Sequence, residues 1–346
     1  MVPASWPREE PLDERLLLID PRALTLRDAR VRDLPGALAQ GDLLVVNDAA
    51  TVPASLEAVT ARGEPVELRL AAHLGDERWR AVLFGAGDWH TRTEHRPLPP
   101  RLSAREALLV GPELVATLER VDPAQPRLVD LRFSRSGAAL WGALYRHGHP
   151  VQYAHVARAL ELWHVQTPFA ARPWAVEMPS AGRALTWSLF GALRARGVRL
   201  AWLTHAAGLS STGDAALDAA LPLPEHFDVP AATVRAIAEA RLARRRVVAA
   251  GTTVVRALEG CARLHGGELV GGEGTTDLRI DRRFRPRVVD GLLTGLHELG
   301  SSHRELMHAF APEPLLARAW AHAEQRGYQD HEFGDVCLVL PGLTPA

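Results

Sequence analysis

Twice along this chain the spacing of its apolar residues changes period. Up to about residue 55, short apolar runs alternate with polar or helical stretches. Arg15–Asp20 (RLLLID) and Asp42–Val46 (DLLVV) read as strands, with a helical turn over Leu34–Ala39 between them. From Leu56 to Arg135 the apolar residues alternate one by one, in Val66–Leu70 (VELRL), Trp79–Phe84 (WRAVLF), Leu114–Val121 and Arg127–Phe133 (RLVDLRF). Turn formers such as Arg62-Gly63, Gly85-Ala86-Gly87, Pro99-Pro100 and Asp122-Pro123 separate these runs. Short alternating strands with no helical period between them predict a small β-barrel or sandwich.

After Pro150 the first texture returns. Helices are expected over Ala181–Arg196, Ala231–Arg244, Val254–Leu264, Ser302–Phe310 and Leu315–Arg326. Strands are expected over Val198–Leu203, Arg246–Ala250, Val288–Leu296 and Val336–Leu340. Ser302 with Glu305 three residues on reads as a capping box. The pattern predicts an α/β fold: a mostly parallel sheet with helices on both faces, interrupted by an inserted small β-barrel domain. Residues 1–55 and 136–346 form the expected α/β domain with the active site, and residues 56–135 the barrel domain.

Composition narrows the function classes. Hydrophobic residues at 47% and charged residues at 23% suit a chain that buries a core. No apolar run reaches bilayer-spanning length, and the first residues lack a basic start followed by an apolar run, so a cytoplasmic protein is expected. Cys261 and Cys337 are expected as buried, reduced thiols. The formal net charge is −1, so no global basic field points to a nucleic acid. All forty basic residues are Arg, which reads as coding bias and makes their number weak evidence for phosphate binding. His147, His149, His155 and His164 are not at a metal-ligand spacing. Gly266–Gly274 fits no phosphate loop and reads as a hairpin or loop.

Ligands of open α/β sheets bind beyond the carboxyl ends of the strands, so the polar residues there are the candidates. Asn47-Asp48 follow DLLVV, and Thr204-His205 follow RLAWL. Gly251-Thr252-Thr253 follow RVVAA and open a helix, with Arg256 and Glu259 one turn apart along it. Thr294 and His297 stand just ahead of the helix start at Ser301-Ser302. Each has an ordinary structural alternative: an Asx turn, a satisfied histidine, a helix cap with a surface ion pair.

In that order along the chain, these segments resemble one family. G-T-T-V-V-R-A-L-E at 251–259 closely resembles the best-kept block of the S-adenosylmethionine:tRNA ribosyltransferase-isomerases of queuosine biosynthesis. G-D-L-L-V-V-N-D at 41–48, Pro150 with Tyr153, Gln166-Thr167, P-S-A-G at 179–182, Thr204-His205, Thr294 with His297, and F-G-D at 333–335 are similar to further blocks. The resemblance implies an α/β domain interrupted by a β-barrel, with S-adenosylmethionine as a substrate and no metal. It implies transfer of the ribosyl part of S-adenosylmethionine to an aminomethyl-deazaguanine in tRNA, with rearrangement to an epoxycyclopentanediol and release of adenine and methionine. A sulfonium acidifies its neighbouring C5′ hydrogens, so a base is needed, and His297 or His205 is expected to supply it. Asp335 or Asp48 would bind ribose hydroxyls or steady the cation, and Thr252, Thr253 and Arg256 would hold the methionine carboxylate. Asn47, Gln166 and Tyr153 complete the expected substrate-binding set.

The family pattern is broken at several polar positions. Ala49-Ala50 replace Thr-Arg, Ser55 replaces an Arg, and Arg183-Ala184-Leu185 replace Leu-His-Phe. Pro222-Leu223-Pro224 stand ahead of Glu225 where a Met-His pair is usual, and Gly300 replaces a Lys. Loss of Arg and Lys removes partners for anionic groups and weakens the expected grip on tRNA. Two alternatives follow: a divergent paralogue that uses S-adenosylmethionine with a small-molecule acceptor, and a non-catalytic binding protein of the same fold. No membrane partner is expected, and nothing in the pattern sets the oligomeric state.

Overall fold

The computed structural model describes residues 1–298 and 300–343. The first strands of its main sheet are β1 (Arg15–Asp20), β2 (Thr25–Arg30) and β3 (Leu43–Asn47). The barrel strands follow: β4 (Ser55–Thr60), β5 (Pro65–Gly75), β6 (Arg78–Phe84), β7 (Ala107–Val110), β8 (Leu114–Val121) and β9 (Leu128–Phe133). Later strands are β10 (Arg199–His205), β11 (Glu225–Val229), β12 (Val247–Ala250), β13 (Gly272–Thr276), β14 (Gly291–Gly295) and β15 (Val336–Val339). The main helices are α1 (Gly137–His147), α2 (Trp187–Ala195), α3 (Ala231–Leu242), α4 (Thr252–Leu264), α5 (Ser302–Met307) and α6 (Glu313–Gln325).

Nine strands form one sheet in the order β13-β11-β10-β3-β12-β14-β15-β1-β2. Its middle strands β3, β12 and β14 are buried at every residue, which requires apolar side chains on both sides of the strand. Alternate residues feed two separate clusters. Leu17, Leu43, Val45, Val247 and Ala249 join residues of α3, α4 and α6, whereas Leu16, Leu44, Val46 and Val248 join Leu189, Phe190 and Leu193 of α2.

The expected mostly parallel sheet is corrected to a mixed one. Four pairings are parallel (β10 with β3, β3 with β12, β12 with β14, β15 with β1), and four are antiparallel. The period of apolar residues reports which side chains are buried; it carries no strand direction. Some helix and loop boundaries also shift. The helix expected from Ala181 begins at Trp187, where the Thr186 hydroxyl accepts the Leu189 N–H at 3.3 Å, and a 3-10 turn spans Ser180–Gly182. The cap of α5 is Ser301, whose Oγ accepts the Arg304 N–H, so Ser302 is the first helical residue and makes no capping box. The glycine-rich stretch after Gly266 ends in a true strand, β13, paired with β11.

The alternating segment closes on itself. The order β4-β5-β6-β9-β8-β7 returns through pairing of Val59 with Leu109 and Thr60 with Leu108, giving a six-stranded barrel. Its inward residues, among them Leu56, Leu68, Leu83, Leu118 and Leu131, form one apolar cluster that also takes in Leu140 and Leu144 of α1. Both cysteines are buried free thiols.

Candidate active site

Gly251 ends β12 with φ of 103°, a backbone region that glycine enters without strain, and so turns the chain directly into α4. No side chain caps this helix, leaving its first amides open toward the space beyond the sheet. That space is a cavity of about 370 Å³. Gly251, Thr252, Thr253 and Arg256 form one wall, and Thr294, His297 and His303 another. The strand ends singled out at 251–253 and 294–297 therefore face one cleft.

Arg256 is 8% exposed, and its guanidinium pairs with the buried Glu225 carboxylate while its Nε donates to the Leu278 carbonyl at 3.2 Å. Its Nη2 is buried with no partner among the described residues, a free donor at the cavity wall. The expected Arg256–Glu259 ion pair is absent: Glu259 instead accepts the backbone N–H groups of Arg287, Val288 and Val289 at 2.9–3.0 Å. Burial raises the Glu225 carboxyl, although Arg256 works against the shift.

The His297 ring is fixed by a 2.7 Å hydrogen bond between Nε2 and the Thr294 hydroxyl and stacks on His303, with centroids 4.9 Å apart. Burial holds His297 well below the usual histidine range, helped by unfavourable electrostatics with His303, His331 and Arg304. Burial, then Arg256, takes His303 down to about 4. Both imidazoles are neutral at pH 7.

Other expected residues lie behind the wall. His205 is fully buried and outside the lining, its Nε2 3.2 Å from the Glu225 carboxylate, and burial with Arg256 keeps it neutral. Asn47 links the ends of β3 and β10 and reaches α4: it accepts the His205 N–H (2.9 Å), donates to the His205 carbonyl (3.0 Å) and lies 3.3 Å from Thr253 Oγ1. Asp48 accepts the Thr204 hydroxyl at 2.6 Å, and its carboxyl is raised by burial against the pull of Thr204 and Arg172. Gln166 clamps the backbone of Thr51 through both amide atoms. Tyr153 donates to Glu177 at 2.5 Å, so it acts on the lining one residue removed. Asp335 is not brought to the cavity: Arg8, the Arg15 N–H and the Gln329 N–H saturate it at 2.8–2.9 Å.

Several lining residues escape sequence reasoning: Glu177, Arg279, Asp281, His303 and Glu305. Glu305 was visible only as a capping candidate, and the others sit in loops or a short helix where no period marks them. Four carboxylates (Glu177, Glu225, Asp281, Glu305) face two arginines (Arg256, Arg279) in the lining, an arrangement that favours a cationic ligand. Ligand atoms of His155, His331 and Glu332 lie within 4.8 Å of one another, as do those of Glu298, Asp330 and His331. They hydrogen-bond mutually, His155 to Glu332 at 3.0 Å and His331 to Glu298 at 3.1 Å, and none lines the cavity.

Comparison with known proteins matches residues 2–339 to the family described as queuosine biosynthesis protein. An S-adenosylmethionine:tRNA ribosyltransferase-isomerase of Acidithiobacillus ferrooxidans is 35% identical over 345 residues, covering 98% of this chain and 94% of the relative. One from Nitrosomonas eutropha is 31% identical, covering 97% and 94%. The crystal structure of an S-adenosylmethionine tRNA ribosyltransferase from Thermotoga maritima superposes with a TM-score of 0.53 at 25% identity, covering 98% of this chain and 96% of that one. With a family match over nearly its whole length, the chain belongs to the queuosine biosynthesis protein family.

Proposed function

We propose that this protein is an S-adenosylmethionine:tRNA ribosyltransferase-isomerase. It moves the ribosyl group of S-adenosylmethionine to a 7-aminomethyl-7-deazaguanine in tRNA and releases adenine and methionine, a reaction that tRNA places in the cytoplasm. The observation that carries this reading is the single cavity shared by Thr252, Thr253, Arg256, Thr294 and His297. Its volume lies in the range of small-molecule sites, roughly 300–1,000 Å³.

The acidic lining suits the sulfonium and ammonium charges of the substrate, while the free Arg256 Nη2 and the open amides of α4 suit its carboxylate. A neutral His297 is ready to take a C5′ proton. In the tautomer that donates Nε2–H to the Thr294 hydroxyl, Nδ1 carries the free lone pair for this step. His205 acts through Glu225 and not on substrate, Asn47 holds the strand ends and Thr253 in register, and Asp335 braces the N-terminal segment against the β15 end. Residues 56–135 are read as an inserted domain carried by the α/β body. No helix among the described residues is long and apolar enough to cross a membrane.

The test is adenine release from S-adenosylmethionine, with and without tRNA carrying the aminomethyl-deazaguanine. Release that depends on this tRNA is expected. Release without tRNA would transfer the reading to a small-molecule acceptor, and absence of both release and S-adenosylmethionine binding would leave a non-catalytic binding protein.

A further inference from the structure

The segment after β13 reads Arg279-Ile280-Asp281-Arg282-Arg283-Phe284-Arg285-Pro286-Arg287, five arginines to one carboxylate in a chain of formal net charge −1. All five are exposed, and none makes an ion pair among the described residues. Coding bias explains the choice of Arg over Lys but not this lack of partners. On the barrel, the arginines at 78, 92, 120 and 132 each face a carboxylate. In the segment the one acid is engaged locally, Asp281 Oδ1 accepting the N–H groups of Arg283 and Phe284 at 2.8 and 3.2 Å. Arg279 is tied to the carbonyls of Ala219 and Ala220, and Arg285 to those of Arg282 and Phe284. The side chains of Arg282 and Arg283 have no hydrogen-bond partner among the described residues.

The segment is also held in place. Arg256 grips the Leu278 carbonyl ahead of it, and Glu259, one turn along α4, grips the amides of residues 287–289 behind it. Arg279 and Asp281 line the substrate cavity. Arg282 and Arg285 line a second depression of about 520 Å³ beside it, and Glu305 lines both. The depression's own acids, Glu305 and Glu313, both face His308.

A base that enters the first cavity leaves its own and its neighbours' phosphates at the rim. Exposed guanidiniums there match phosphate oxygens in charge and geometry. We propose that residues 279–287 form a phosphate-binding ridge that seats tRNA over the active-site cavity, with Arg282, Arg283 and Arg285 contacting the backbone of nucleotides flanking the reacting base. The ridge rests on the reading that tRNA is the acceptor. It supplies locally the positive charge that the family-pattern departures at Ala50, Ser55 and Gly300 take away.

The test compares wild type with Arg282→Ala/Arg283→Ala, whose side chains make no hydrogen bond or ion pair among the described residues, and with the corresponding double lysine variant. Binding of the aminomethyl-deazaguanine tRNA is measured against salt concentration, and adenine release against tRNA and S-adenosylmethionine separately. The alanine pair is expected to raise KM for tRNA by about tenfold or more and to make the log–log salt slope shallower by about two, roughly one per lost arginine contact. KM for S-adenosylmethionine stays as in wild type, and the lysine pair recovers most of the tRNA affinity. If wild type binds tRNA and the alanine pair binds it equally with the same slope, the ridge is overturned while the function stands. If wild type shows no salt-dependent tRNA binding, both fall together.

Discussion

His297 is held by a hydroxyl on one side and a stacked imidazole on the other, so its ring has one orientation in the cavity. Burial lowers its proton affinity, and that sets the direction of the pH dependence. The neutral base persists as pH falls through the ordinary histidine value of 6.5, and protonation comes only below it. The acid limb of kcat/KM is therefore expected below pH 6.5. Replacing His297 with alanine is expected to lower adenine release by about 10²–10⁴-fold, the usual contribution of a positioned base, and to remove that limb. Near-wild-type turnover in the alanine variant would take His297 out of the chemistry. Its neighbour His303, without a hydrogen bond among the described residues, serves the ring by stacking and by keeping positive charge away at neutral pH.

The cavity wall at 278–281 depends on how closely α4 passes β13. Gly260 is where they touch: a Cβ there would lie 2.2 Å from Thr276 Oγ1 and 2.7 Å from Thr276 Cβ. The second distance decides the outcome, because Cβ cannot rotate away. Alanine would gain about 1 kcal/mol of helix propensity but meet overpacking of about 1–3 kcal/mol. Gly260→Ala is thus expected to lower the urea midpoint and to raise KM for S-adenosylmethionine, since Thr276 Oγ1 also accepts the Leu278 N–H at 3.1 Å beside the cavity. An unchanged midpoint would show that β13 yields freely. Such contacts also mark the limit of what the sequence makes legible. Barrel and strand ends stand out because the apolar period changes at them, and 251–253 and 294–297 were found that way. The direction of β11, β13 and β15 has no counterpart in that period, and Glu177 and Asp281 sit where no period exists. Asn47 and His205 were placed at the right sheet edge, yet they spend their polar atoms on each other's strands and on Glu225, a choice only packing reveals.

Three imidazoles, His205, His297 and His303, are held low by burial, and their shifts act on the whole fold. An unfolded chain takes up protons on all three near pH 6.5, whereas the native one does not. Between 6.5 and the lowered values the unfolded state binds more protons, so stability is lost as pH falls. His303, at about 4 against 6.5, contributes at most about 2 kcal/mol of this loss between pH 7 and 5. The raised carboxyls of Asp48, Glu177 and Glu225 have the opposite sign, because the native state protonates them more readily, and they offset part of the fall. Urea denaturation at pH 7 and pH 5 should show wild type losing more stability than His303→Gln, which has no proton to gain. Equal losses would mean that His303 titrates normally. The native cavity takes up its own proton on His303 only toward pH 4, so S-adenosylmethionine affinity should hold between pH 7 and 5, where the fold weakens, and fall only below that window. In His303→Gln the stability loss should flatten between pH 7 and 5 and the affinity loss should flatten nearer pH 4, two separate windows set by the unfolded and native proton affinities of one side chain.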